Sequence, residues 1–151
     1  MSEWIIRDAL PAESAALAEL QLRASSVWES DRALLAAHPD LIQPPEEAAA
    51  AGRVRVAVDG AGRLLGFCTV TVTAEALEID DLFVEPDAMG HGVGRSLVDD
   101  TIRRAGPREV EATVNTNALG FYERLGFRRS GQAQTTFGPA PRMRLERQDR
   151  S

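Results

Sequence analysis

Residues 82–97 read Leu-Phe-Val-Glu-Pro-Asp-Ala-Met-Gly-His-Gly-Val-Gly-Arg-Ser-Leu, and the reading of this stretch decides the fold. An apolar strand end passes through a proline turn into a loop with glycines at 90, 92 and 94. The loop opens a helix, predicted over 92–105, whose Leu97, Val98, Ile102 and Ala105 fall on one face. Strand, glycine loop and helix N-terminus together make an anion site. Successive backbone N–H groups converge there, and the helix dipole adds partial positive charge. Glycine lets the backbone approach a phosphate closely and adopt positive φ. The stretch therefore reads as the grip on a phosphorylated cofactor, against the plainer alternative of a flexible turn before a helix.

Exclusion narrows the cofactor. A nucleotide-hydrolase phosphate loop needs Lys-Ser/Thr after its last glycine, whereas Gly94 is followed by Arg95-Ser96 and the chain has no lysine. A dinucleotide fold carries its fingerprint in an early βαβ unit with an acidic residue about 20 positions on. Gly90-His91-Gly92-Val93-Gly94 lies past mid-chain, lacks that spacing, and follows several strands.

A second segment, Asn115-Thr-Asn-Ala-Leu-Gly-Phe-Tyr-Glu-Arg-Leu-Gly-Phe127, changes the reading. Val-x-Pro…Gly-x-Gly-x-Gly followed by Asn-x-x-Ala-x-x-Phe-Tyr-x-x-x-Gly-Phe resembles the GCN5-related N-acetyltransferase (GNAT) superfamily. The resemblance extends, more loosely, from the opening strand Trp4–Arg7 to a closing strand near Arg142–Glu146. It implies a mixed α+β fold: a twisted, mostly antiparallel central sheet flanked by helices, with parallel strands at about 77–84 and 109–114 that splay apart. It implies acetyl-CoA as co-substrate, its pantetheine arm bonded like an extra strand to backbone near Leu82, Phe83 and Val84. The pyrophosphate would lie on the loop Met89, Gly90, His91, Gly92, Val93, Gly94, Arg95 and Ser96, chiefly on the amides of His91 to Ser96. Met89 stands where the family often has Arg or Gln, a departure of small cost if amides carry the binding. His91 and Arg95 either add charge near the phosphates or are solvated loop residues.

The resemblance also implies a division of chemical labour. Tyr122, the chain's only tyrosine, matches the family tyrosine that protonates the departing thiolate; packing is its other reading. Asn115 ends a strand and reaches pantetheine, while Asn117 caps the following helix. Glu78 matches the spacing of a catalytic glutamate in some members, with Asp80, Asp81 or solvent as alternatives for the base. A base is needed because a free alkylamine, with pKa of about 10, is protonated at neutral pH. The acceptor is a primary amine of a small molecule or a protein N-terminus, and Ser25, Ser26, Trp28, Glu29 and Arg142 are candidates to line its pocket. Trp28 also follows the apolar stripe of the first helix and reads as core. A non-catalytic acyl-CoA sensor is the competing function.

Composition agrees. At 151 residues, 44% apolar and 26% charged, the chain reads as one domain over 1–151 with an ordinary core. A net charge of −6 disfavours nucleic-acid and anionic-membrane surfaces. All 17 basic residues are arginine, as in a GC-rich bacterial genome. A single cysteine, Cys68 in an apolar run, excludes an internal disulfide and fits a reducing, cytoplasmic compartment. With two histidines no zinc site is expected, and no apolar run reaches membrane-span length. No exposed apolar stripe demands association, so the expectation is a monomer or homodimer.

The remaining elements follow from pattern. Pro11–Ala24 reads as a helix with Leu17, Leu20, Ala24 and Val27 in phase, and 30–51 as short helices broken at Pro39 and Pro44-Pro45. Strands 53–58 and 64–73 flank the turn Asp59-Gly-Ala-Gly62. Strand 109–114 alternates cleanly, helix 117–125 stops at Gly126, and strands follow at 127–136 and 141–146.

Overall fold

A computed structural model describes residues 3–135 and 138–145, apart from the side chains of Glu29 and Ser30. The strands are β1 (Trp4–Asp8), β2 (Val54–Asp59), β3 (Leu64–Val72), β4 (Ala76–Val84), β5 (Glu109–Thr113), β6 (Phe127–Thr135) and β7 (Gly138–Leu145). The helices are α1 (Ser14–Ser25), α2 (Glu29–Ala37), α3 (Glu46–Ala50), α4 (Val93–Ala105) and α5 (Leu119–Arg124). Glu146, placed in the last strand by its sequence pattern, lies outside the described residues. Chain contacts divide the protein into two units, one of residues 1–69 and 81–100, the other of 70–80 and 101–151.

The seven strands are hydrogen-bonded in the order β1-β2-β3-β4-β5-β7-β6. In the first unit β1 and β2 pair antiparallel from Trp4↔Asp59 to Asp8↔Arg55, and β2 pairs antiparallel with β3. In the second, β4 and β5 run parallel from Ala76↔Glu109 to Ile79↔Ala112. The antiparallel pairs β5·β7 and β6·β7 complete it. This is the expected mixed, mostly antiparallel sheet with flanking helices. The parallel ladder stops at Ile79↔Ala112, yet β4 itself continues to Val84.

Alternation builds each core. In the first unit Leu17 and Leu20 of α1 pack with Val54, Val56 and Val58 of β2 and with Phe67 of β3. Phe83 joins at the edge of that cluster, its ring 5.8 Å from Phe67. In the second unit Leu77, Ile79, Val110, Ala112 and Met143 are all buried, at alternate positions of their strands. Cys68 is buried and forms no disulfide.

The helical expectations needed three adjustments. α1 ends at Ser25 rather than running its phase on to Val27, so the stripe that would have buried Val27 and Trp28 is broken. Trp28 is extended at the cap of α2 and 43% exposed, which overturns its reading as core. Along α4, Thr101 takes a fully buried position and Ile102 is only half-buried. Gly94 lies inside α4 without positive φ; only Gly90 and Gly92 of the three loop glycines use the left-handed region, at φ 82° and 95°.

Gly66 fixes how β3 meets its neighbours. A Cβ there would lie 2.8 Å from the Phe83 carbonyl oxygen, 3.2 Å from Val93 Cγ1 and 3.3 Å from Leu97 Cδ1. Backbone cannot yield as a side-chain tip can, so Gly66→Ala is expected to lower stability by about 1–3 kcal/mol, as overpacking does. Gly60→Ala is the control: its Cβ meets nothing within 4 Å, and its cost should stay within about 0.5 kcal/mol. Urea midpoints of the two variants measure both.

Candidate active site

The residues singled out in the sequence fall in both units, and each group is built within its own. In the first unit β4 delivers Leu82, Phe83 and Val84, all half-buried, to the turn at Glu85. The Glu85 N–H donates to the Leu65 carbonyl at 2.8 Å, and Pro86–Ala88 make one 3-10 turn. Ala88 is buried and Met89 exposed, so the chain dives in just before the glycines. Exposed Gly90, His91 and Gly92 lead to buried Val93, the first residue of α4. The positive φ at Gly90 and Gly92 turns the chain so that it enters α4 directly.

A helix's first N–H groups have no intrahelical acceptor, and they carry the positive end of its dipole. At α4 this applies to Val93, Gly94 and Arg95. The Ser96 N–H donates to the Gly92 carbonyl at 3.0 Å, so the set of amides open to an anion is one shorter than the sequence reading gave it. Arg95 faces solvent with Asp99 as an i,i+4 partner at 3.8 Å. α4 is itself tied down: the Arg55 fork donates to both oxygens of buried Asp100 at 3.0 and 3.1 Å and reaches Asp8 at 3.0 Å. An open groove of about 520 Å³ lies along α1 and α2, walled by Leu22, Leu35, Pro39 and Ile42, with Glu19 and Arg32 among its lining residues. Ser26 lines it too, but its hydroxyl donates back to the Leu22 carbonyl. Ser25 is half-buried at the end of α1. The Glu29 side chain is outside the described residues.

In the second unit the sheet register assembles a polar cluster. Glu78 is opposite Glu111 across β4·β5, Glu111 is opposite Arg144 across β5·β7, and Thr113 is opposite Arg142. Arg142 reaches three of these. Its Nη1 donates to Glu78 Oε2 and, at 3.0 Å, to Thr113 Oγ1, while Nη2 donates to Glu111 Oε1 at 2.6 Å. The hydrogen bond to Glu78 is the main reason the guanidinium is held more firmly protonated than a free arginine. Arg144 adds a looser contact to Glu111 at 3.6 Å. Asp80, exposed, accepts from the Thr71 hydroxyl at 2.6 Å. Sequence spacing singled out Glu78 and Arg142 separately; their union, 64 residues apart, had no local signal.

Tyr122 is 5% exposed on α5, its ring edge-on to Phe127 at 5.2 Å and to Phe121 at 5.2 Å. The ring is thus set by aromatic packing, a prerequisite for aiming a hydroxyl. Asn115, not Asn117, makes the cap: its Oδ1 accepts from the Asn117 N–H at 2.8 Å and opens the turn Thr116–Ala118 that precedes α5. The reason is that α5 starts two residues beyond Asn117, at Leu119. Gly126, at φ 98°, ends the helix as read. Among the described residues no group of three or more His, Cys, Asp or Glu is placed to hold a metal ion, and no helix is long and apolar enough to cross a membrane.

Comparison with known proteins bears on these pieces. Residues 50–129 match the family described as "Acetyltransferase (GNAT) domain". The peptidyl-lysine N-acetyltransferase YjaB of Salmonella typhimurium is 32% identical over 80 residues, 52% of each chain. This chain thus spans about half the length of such curated relatives. A GCN5-related N-acetyltransferase from Rhodopseudomonas palustris has a TM-score of 0.75 at 23% identity, over 96% of both chains. The PaiA N-acetyltransferase of Thermoplasma acidophilum, solved with coenzyme A, has a TM-score of 0.73 at 16% identity, over 97% of this chain and 100% of that one.

Removing Arg142 tests the cluster. Arg142→Gln leaves Glu78 and Glu111 without their shared donor and is expected to cost about 1–3 kcal/mol, as for a broken charged hydrogen bond. Arg144→Gln, at an exposed position, should cost no more than about 1 kcal/mol. Chemical denaturation of both variants gives the comparison.

Proposed function

From the premise that the chain belongs to the GNAT acetyltransferase family, we propose that it is an acetyl-CoA-dependent N-acetyltransferase that transfers its acetyl group directly to a primary amine. The observation that carries this is the loop at α4: Gly90 and Gly92 at positive φ, between buried Ala88 and Val93, with first-turn amides of a 13-residue helix behind them. That arrangement suits a pyrophosphate. The residues assigned to the cofactor are Met89 to Ser96, with Leu82, Phe83 and Val84 bonding the pantetheine arm through backbone. Asn115 and Asn117 are the further residues assigned to the cofactor; Asn115 also caps the turn Thr116–Ala118.

In the reaction the neutral amine attacks the thioester carbonyl. The C–N bond forms, the C–S bond breaks, and the amine proton passes to a base. Tyr122 protonates the departing thiolate, giving free CoA and the amide. Glu78 is the proposed proton acceptor, directly or through water, with Arg142 holding its carboxyl group in place. The transfer is direct, without a covalent enzyme intermediate, a reading that the burial of Cys68 supports. The acceptor class is a small-molecule amine or a protein N-terminus. Relatives support the amine chemistry in general: the Salmonella protein is named for peptidyl-lysine acetylation.

One observation favours a second reading. Glu78 is engaged by Arg142 and Tyr122 is packed among aromatic rings, as they would be in a module that binds acyl-CoA without turning it over. Two measurements separate the readings. Ligand that binds only the folded protein raises its stability, by about 2.7 kcal/mol at a hundredfold excess over Kd. Acetyl-CoA and CoA should therefore both raise the melting temperature while ATP does not; no shift with acetyl-CoA removes both readings. Tyr122→Phe should then lower kcat by about 10²-fold or more, as loss of a general acid does, at unchanged acetyl-CoA affinity. An unaltered kcat removes the acid role, and absence of turnover with a broad amine panel favours the sensor.

A further inference from the structure

Glycine loops present their amides well only if the chain on each side is fixed, because glycine itself contributes the greatest backbone freedom. At α4 the downstream anchor is plain: Val93 is buried and the helix is held through Asp100 by Arg55. The upstream anchor is a single turn, Glu85–Ala88, and two arginines reach it. Arg23, in the last turn of α1, donates from Nε to Glu85 Oε1 at 3.0 Å and from Nη2 to Oε2 at 2.5 Å. Arg63, just past the β2–β3 turn, donates from Nη2 to both oxygens of Asp87 at 2.7 and 2.9 Å. The two contacts are unequal. The Arg63 pair is 47% and 69% exposed and is weakened by solvent. Arg23 is itself 51% exposed, but the Glu85 carboxylate is only 9% exposed and takes a two-pronged fork, so it is the carboxylate side that distinguishes this contact.

We propose that Arg23 is a positioning residue for the cofactor's pyrophosphate: through the buried carboxylate of Glu85 it fixes the turn from which the glycine loop is launched. This rests on the acetyl-CoA reading above. Arg23 touches neither cofactor nor acceptor in this scheme. Its fork fixes the direction of the Glu85 side chain, whose backbone N–H is bonded to Leu65 and whose carbonyl accepts the Ala88 N–H at 2.9 Å. Displacing that carbonyl tilts Ala88 and Met89, and so the amides that follow Gly90. A lysine at 23 keeps the charge but not the fork. The consequence is local: the anion grip loosens while the β2–β3 hairpin and the core behind it stay formed.

The test uses the full chain, measured well below the melting temperature of each variant. Calorimetric titration with acetyl-CoA gives Kd, and amide hydrogen exchange of the ligand-free protein gives local order. For Arg23→Gln the expected result is a Kd raised about tenfold or more, the scale of weakening one hydrogen bond to a charged phosphate. It is accompanied by faster exchange at the Glu85 and Ala88 amides and unchanged rates in β2 and β3. Arg23→Lys should show the same pattern in milder form, and carries the test if the glutamine variant does not fold. An unchanged Kd overturns the proposal, and so does exchange accelerated uniformly across β2, β3 and the turn, which marks a purely structural pair. A wild-type protein that does not bind acetyl-CoA overturns the cofactor reading itself, with the proposal on it.

Discussion

A glycine loop proposed to grip a phosphate has to be pliant in sequence and rigid in space, and much of the first unit serves that constraint. Gly90 and Gly92 supply the pliancy, at φ values other residues resist. Rigidity has to come from outside the loop. Ala88 and Val93 pin its ends in apolar surroundings, Gly66 lets β3 lie tightly against the Phe83 carbonyl and α4, and three arginines bond the carboxylates at 85, 87 and 100. Packing alone would leave the ends free to rotate. A guanidinium fork on a carboxylate fixes direction as well as distance.

The second unit applies the same device to a different end. Its sheet places Glu78 and Glu111 opposite each other on adjacent strands, a destabilising pair if left alone. Arg142, one strand further on, bridges both and takes the Thr113 hydroxyl as well. The proposed base is therefore part of a network whose first duty is to make two neighbouring carboxylates compatible. Its chemistry cannot be separated from that duty. A substitution at Glu78 removes one partner of Arg142 and changes the balance of charge around Glu111, so kinetic effects there have a structural component.

What was legible in the sequence was local or periodic. The β2–β3 turn, the alternation of Val110, Ala112 and Val114, the stop at Gly126 and the start of α4 all rest on contacts within a few residues, and the structure has each of them. Trp28 was misread because a helical stripe was extended past the point where the helix ends. The cap fell to Asn115 instead of Asn117 because a 3-10 turn precedes α5, shifting the capping position by two. The arginine–carboxylate pairs lay beyond reach for a different reason. Arg23 and Glu85 are 62 residues apart, and Arg142 and Glu78 are 64 apart. Nothing in their neighbourhoods distinguishes them from the chain's other arginines and glutamates.

The absence of lysine gives those pairs a shared character. The physical outcome differs from what a lysine-containing chain would have. Lysine is a point charge on a flexible stem and would hold Glu85 or Asp100 at one oxygen, free to swing about it. Arginine engages both oxygens in one plane, as Arg23 does at Glu85 and Arg55 at Asp100. The first of these carboxylates stands at the entrance to the glycine loop and the second on the helix behind it. Directional restraint at those two places is what a loop with two left-handed glycines most lacks, and it comes from residue types that a composition count alone would put down to solubility.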